Sequence, residues 1–201
     1  MEEALFRQLF LVIYVIFFGV RIRYRVESAR KDTEQPRKLS NAGKLQAIAI
    51  LCYFASILLY LLDVPSVSWS RLGLPFWIRW FGVSLAIVAT ILVAWTHLAL
   101  GRQYSAELVI QKDHILVTTG PYARIRHPMY TALNMFSISM AIITSNLLVL
   151  FFAVLVAFIF PWIVREEELM LIETFGEEYR EYMRRTGRFL PRIRPSSDAN
   201  E

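Results

Sequence analysis

Cysteine is almost absent from this chain. Cys52 stands alone in an apolar run, which excludes an intrachain disulfide and a cysteine-based metal site. Histidine is nearly as scarce: the three residues His97, His114 and His127 form no His-x-x-x-His pair, and with Cys-x-x-Cys also missing a bound metal is not expected. There is no Gly-x-Gly-x-x-Gly segment and no Walker loop, so a soluble-type dinucleotide or nucleotide domain is excluded. No internal repeat is visible. A cleavable leader is not expected either, because Ala4 to Val20 follows Glu2 and Glu3 and runs into arginines rather than small residues. Charged side chains make up only 19% of the 201 residues.

Apolar side chain is what the chain has instead. At 56% hydrophobic and a mean hydropathy of +0.42 it carries more than a soluble core of this size buries, and reads as a membrane protein of one compact domain. Five apolar runs are predicted to be helical spans: Ala4 to Val20 (extending toward Tyr24), Leu45 to Leu62, Phe76 to Leu100, Thr131 to Ile143, and Leu147 to Val164. Thr144-Ser145-Asn146 makes the last two a helical hairpin. Its first arm is short unless Pro128 to Tyr130 contribute, and Pro161 is expected to kink its second arm.

A further helix is predicted to open at Arg165-Glu166-Glu167-Glu168, with Leu169, Ile172, Phe175, Tyr179, Tyr182 and Met183 along one face. Gly176 is placed to bend it and Gly187 to end it. The expected fold is all-α: a polytopic membrane protein with five transmembrane helices and a C-terminal amphipathic cytoplasmic helix. Residues 1–100 hold three spans, 101–194 the polar centre with its hairpin and final helix, and 195–201 a disordered tail.

Basic residues are unevenly spread. Of 22 Lys and Arg, eight lie between Arg21 and Lys44, four between Gly101 and Tyr130, and seven from Arg165 onward. Five spans with this distribution place the N terminus outside and the C terminus in the cytoplasm. The same spread argues against nucleic acid as a partner and for a lipid bilayer with anionic headgroups.

Potential chemistry is densest in the polar segment His114 to Tyr130. Gly120-Pro121 marks a turn, and His127 is predicted to sit just before a helix that Pro128 opens. Taken singly, His114 reads as a loop histidine, His127 as a helix cap and His97 as a buried histidine bonded to a carbonyl. Tyr122 and Tyr130 bracket Arg-x-Arg-His-Pro, as ring faces lining a pocket would. A helix dipole favours Glu166 to Glu168 at a helix start. A third carboxylate beside anionic headgroups points further, to at least one facing inward toward a cationic or polyhydroxyl group; spacing does not choose which.

In order, the chain carries Gly120-Pro121-Tyr122, Arg126-His127-Pro128-x-Tyr130, a hairpin, Glu166-Glu167-Glu168-Leu169, Phe175-Gly176-Glu177-Glu178-Tyr179-x-x-Tyr182 and Arg185-Thr186-Gly187-Arg188-Phe189-Leu190-Pro191. From about Arg102 to Ile193 it resembles the isoprenylcysteine carboxyl methyltransferase family, in its short prokaryotic form. That resemblance implies a membrane-embedded site for S-adenosyl-L-methionine and a lipophilic acid, such as a prenylated cysteine, entering from the membrane. By motif, the cofactor-binding residues would be His114, Ile115, Leu116, Val117, Tyr122, His127, Pro128, Met129 and Tyr130, with Glu167 or, in a register one place later, Glu168. Arg165 is the nearest candidate for the family's substrate-orienting arginine, at a different offset. The alternatives are a phospholipid amine methyltransferase, a membrane reductase using a nicotinamide cofactor, and a non-enzymatic scaffold.

Overall fold

The computed structural model describes residues 2–29, 40–100 and 116–192. Most of the basic 30–44 stretch, His114, Ile115 and the tail 195–201 lie outside the described residues. Among the described residues six helices follow one another: α1 (Glu2–Ala29), α2 (Asn41–Leu61), α3 (Phe76–Leu100), α4 (Pro128–Thr144), α5 (Leu147–Phe175) and α6 (Glu177–Arg185), with short 3-10 turns at Pro65–Ser70 and Gly120–Ala123. Among the described residues the extended pairing is limited to two isolated bridges, Arg71 with Asn146 and Ile125 with Gly187.

Capping chemistry sets several boundaries. The Ser40 hydroxyl accepts from the Gly43 amide at 3.1 Å to open α2. Pro128 is the first residue of α4, where its missing amide proton costs nothing, and His127 precedes it at φ −123°. Ser145 takes the left-handed conformation that closes α4, and Asn146 opens α5 by accepting from the amides of Leu148 and Val149 at 2.9 and 3.1 Å. The hairpin turn is pinned to the connection before α3, since Ser145 accepts from the Leu72 amide through its carbonyl and from the Leu74 amide through its hydroxyl, both at 2.8 Å.

Small residues bring α3 against α4. Gly82, Ala86 and Ala89 are buried at intervals of four and three on α3, and a Cβ built on Gly82 would lie 2.8 Å from Ile142 Cγ2. In lipid, where apolar surface gains little by leaving tails for another helix, close backbone approach of this kind is a main source of attraction. Aromatic rings fill the remainder: Phe17 of α1 stacks on Phe136 of α4, with centroids 3.6 Å apart, beside the fully buried Phe6 and Phe10.

Helices α1, α2, α3 and α5 are long and apolar enough to cross a bilayer. The 17 residues of α4 reach only about 26 Å at 1.5 Å per residue, short of a hydrocarbon core of about 30 Å. Outward faces carry Val12, Val15, Ile16, Ile87, Ile91, Phe151 and Phe158, all exposed, as a lipid-facing surface requires.

The last elements differ from the expected pattern. No helix begins at Arg165; α5 continues without a break through Pro161 and the glutamates to Phe175. Nothing from Val164 to Phe175 stops a helix, so the change to charged residues marks where the helix leaves the apolar layer, not where it ends. At 29 residues, about 43 Å, its final turns project beyond the hydrocarbon. Gly176, at φ +57°, then ends α5 outright and separates the nine-residue α6.

If the α3–α4 contact depends on the missing side chain, Gly82→Leu overpacks it and costs about 1–3 kcal/mol. Thermal unfolding in detergent should show a midpoint several degrees lower, and an unchanged midpoint would remove that contact from the account.

Candidate functional site

At the end of the bundle where α3 finishes and α4 begins, the polar segment folds back on the C-terminal residues. Gly120, at φ +61°, presses the turn against α3: a Cβ there would sit 3.2 Å from Ala99 and 3.4 Å from the Trp95 indole nitrogen. Beyond the turn, two stretches zip together. The amides of Arg126 and His127 donate to the carbonyls of Gly187 and Arg188 at 2.8 and 3.0 Å, and the Gly187 amide donates to Arg124 at 3.1 Å. Glycine is required at 187 because a Cβ there would lie 1.8 Å from the Leu190 carbonyl oxygen. The Thr131 hydroxyl donates to the Phe189 carbonyl, and the Tyr182 hydroxyl to the Tyr122 carbonyl, both at 2.7 Å.

The acidic stretch of α5 meets this zipper from the side. Glu168 is 3% exposed. Its Oε1 accepts from Arg126 Nε at 3.0 Å and faces His127 Nε2 at 3.3 Å, while its Oε2 accepts from Arg188. Arg126 also donates to the carbonyls of Met183 and Thr186. Both oxygens of Glu168 are therefore engaged by guanidinium or ring nitrogens, a bound condition that a buried carboxylate needs.

Glu167 has a different environment. Its Oε2 is buried, lies 3.7 Å from His127 Nδ1, and has no hydrogen-bond partner among the described residues. That separation is longer than a hydrogen bond. The Tyr130 hydroxyl is close enough to interact with Glu167. Tyr130 itself is held edge-on to His127 and Phe160, with centroids 5.9 and 4.9 Å away. Tyr179 adds a buried hydroxyl with no hydrogen-bond partner among the described residues. Burial pushes the Tyr179 and Tyr182 phenols above their ordinary value, so both are neutral.

The structure thus brings together Tyr122, His127, Pro128, Met129, Tyr130, Glu167 and Glu168. Leu116 and Val117 lead into the same turn and are half-buried; His114 and Ile115 lie outside the described residues. Arg165 is not brought in. It is exposed and shares an outward stripe with Trp162 and Leu169, which are exposed as well.

Three arginines went unread in the sequence. Arg126 and Arg188 sit in motifs, but spacing did not reveal that both turn to Glu168. Arg21, on α1, donates to Met129 Sδ at 3.4 Å and interacts with Tyr130; in the sequence it falls with the basic segment that follows the first span. Among the described residues no group of three or more His, Cys, Asp or Glu side chains is arranged to hold a metal ion.

Comparison with known proteins bears on this geometry. A family model described as phospholipid methyltransferase matches residues 77–178. The chain is 30% identical over 193 residues to protein-S-isoprenylcysteine O-methyltransferase B of Arabidopsis thaliana, covering 92% of this chain and 94% of that one. It is also 31% identical over 113 residues to the nickel-cobalt-cadmium resistance protein NccN of Alcaligenes xylosoxydans xylosoxydans, there covering 55% of this chain and about half, 53%, of the relative. Among solved structures, a eukaryotic intramembrane Ras methyltransferase, isoprenylcysteine carboxyl methyltransferase, shares the fold with a TM-score of 0.59 at 22% identity, over 92% of this chain and 68% of that one. A helical membrane bundle with this motif order, matched over half its length by the family model and over nearly its whole length by the plant enzyme, belongs to the isoprenylcysteine carboxyl methyltransferase group of the phospholipid methyltransferase family, and is a membrane methyltransferase.

Proposed function

We propose that this methyltransferase uses S-adenosyl-L-methionine to methylate the carboxylate of a prenylated cysteine or a similar lipophilic acid. The observation that carries the reading is the buried oxygen of Glu167, without a hydrogen-bond partner among the described residues, beside a Glu168 whose two oxygens are both engaged. A cationic group fits such an oxygen: it supplies the missing partner in a place where water is scarce. S-adenosyl-L-methionine brings a positive sulfonium with an activated methyl group and an ammonium, either of which answers that need.

The residues assigned to this site are those of the C-terminal half. Glu167 holds the positive charge, Tyr122 and Tyr130 offer ring faces, and His127-Pro128-Met129 shape the wall, with His114, Ile115, Leu116 and Val117 as the remaining segment. Glu168, Arg126 and Arg188 position His127 and the zipper without touching the reactants. S-adenosyl-L-methionine, when bound, would supply the methyl group from its sulfonium, the electron pair of the broken bond staying on sulfur as an acceptor carboxylate oxygen takes the carbon. The nucleophile is already an anion and no proton is moved, so the protein's task is alignment and exclusion of water. For the acceptor carboxylate we assign Arg21, which lies against Met129 and near Tyr130; Arg165, on the exposed stripe, is the second choice.

An opening at the membrane boundary suits the two reactants, one from lipid and one from water. From its first residue to Glu167, α5 rises about 30 Å, which puts this carboxylate at the edge of the hydrocarbon. We place this end of the bundle, and the C terminus, on the cytoplasmic side, with α4 completing a fifth crossing through the residues before it; the basic segments there support that orientation.

Glu167→Gln should weaken S-adenosyl-L-methionine binding about 10–100-fold while leaving the unfolding midpoint within a degree or two, because no guanidinium or ammonium among the described residues pairs with the charge that is lost. Glu168→Gln should do the reverse in emphasis, lowering stability by about 3–5 kcal/mol as two guanidiniums lose their buried counter-charge. Titration calorimetry and thermal unfolding of the two variants separate them, and equal losses of affinity with unchanged stability would reject the division of roles. Arg21→Ala should raise KM for a small prenylcysteine about tenfold at unchanged cofactor affinity; a change confined to cofactor binding would remove Arg21 from the acceptor's side.

A further inference from the structure

Three basic residues fall outside the basic segments assigned to the cytoplasmic side: Arg7, Arg71 and Arg79. All three line a single cavity of about 200 Å³ at the end of the bundle opposite Glu167, together with Glu3, Tyr60 and Asp63. They reach it from α1, from the connection before α3, and from the first turn of α3.

Arg79 is 6% exposed. Its guanidinium lies over the Phe6 ring at 4.0 Å, with Nε donating to the Ile143 carbonyl at 2.9 Å and Nη1 to Glu3 at 2.8 Å. Its Nη2 is buried with no acceptor among the described residues, and so is the Nε of Arg7, whose guanidinium lies over the Tyr60 ring at 5.5 Å. Asp63 pairs with Arg71 and lies 3.9 Å from Arg7, while Glu3 also accepts from the Tyr60 hydroxyl at 2.9 Å. Two carboxylates against three guanidiniums leave the lining one positive charge in excess. Buried donors without acceptors are rare in folded proteins, and two in one charged cavity call for a missing anion.

The depth of the cavity identifies what can bring that anion. Trp69, Phe76, Trp77 and Trp80 are exposed around the same end of the bundle, the girdle expected at headgroup level. A planar guanidinium fork matches phosphate oxygens, and a phosphodiester carries the single negative charge that would balance the lining. We propose that this cavity binds the phosphodiester of a phospholipid in the leaflet facing away from the candidate active site. It is a site independent of methyl transfer, tying α1, α2 and α3 together through a lipid headgroup.

The test uses the full chain, purified in detergent and washed free of lipid, with phosphatidylglycerol or sodium phosphate added. The expected result is a one-to-one phosphatidylglycerol adduct in native mass spectrometry and an unfolding midpoint raised by several degrees, with no response to sodium phosphate. In Arg71→Gln, a change at an exposed side chain that leaves the helices intact, and in Arg7→Gln, the apparent affinity for phosphatidylglycerol should fall about tenfold. The unfolding midpoint without lipid reports whether each variant is folded. An equal response to sodium phosphate assigns the cavity to a free anion and overturns the lipid proposal. So does the absence of adduct and shift in the parent chain, or affinity unchanged in folded Arg71→Gln.

Discussion

A carboxylate at 3% exposure, held where a membrane bundle opens to water, survives only if its charge is answered on all sides. Glu168 has that answer from two other parts of the chain. Arg126 and His127 come from the corner before α4, and Arg188 comes from beyond α6. Removing Arg126 or Arg188 would strip the carboxylate of a charge-assisted donor. The ion cluster therefore fixes the distance between α5 and the His127-Pro128 corner, and holds the C-terminal stretch in place where its backbone can pair with residues 124 to 127. Gly187 permits that pairing by sheer lack of a side chain.

Rigid support of this sort is what a neighbouring functional group needs. Glu167 and Glu168 are consecutive on one helix, so their side chains diverge by about 100°. Glu168 is drawn into the ion cluster, and this leaves Glu167 facing the gap between His127 and Tyr130. The positioning of Glu167 is then a consequence of its neighbour's bonds, and so is the orientation of the imidazole that separates them. The close α3–α4 packing through Gly82, Ala86 and Ala89 extends that rigidity along the bundle, because α4 begins at the same corner.

What could be read from the residues follows the range of the physics involved. Pro128 opening α4, the Ser145-Asn146 turn and the interruption at Gly176 are local effects of missing donors, capping oxygens and permitted backbone angles, and the sequence shows them plainly. The extent of α5 was not legible in the same way, since a shift from apolar to charged residues reports membrane depth and says nothing about helix continuity. Arg126 and Arg188 are remote from Glu168 along the chain, and a motif does not state which of its charges meet. Arg165 shows the converse: adjacency to an acidic run suggested a shared site, yet on a helix two residues apart means nearly opposite faces.

The same committed bonds bear on the choice of acceptor. An amine acceptor must lose a proton before or during methyl transfer, and a base has to be free to take it. His127 is turned with Nε2 to Glu168 and Nδ1 toward Glu167, so both ring nitrogens face the two glutamates, and Glu168 is itself engaged by two guanidiniums. That leaves Glu167 as the uncommitted carboxylate of this cluster among the described residues, and it is the group assigned to the donor's positive charge. One carboxylate serving as counter-ion to a cation is weakened as a base by that cation, so the two duties oppose each other. A carboxylate acceptor removes the conflict. It arrives without a proton to lose, asks for a cation such as Arg21 rather than a base, and is already a nucleophile once water is excluded.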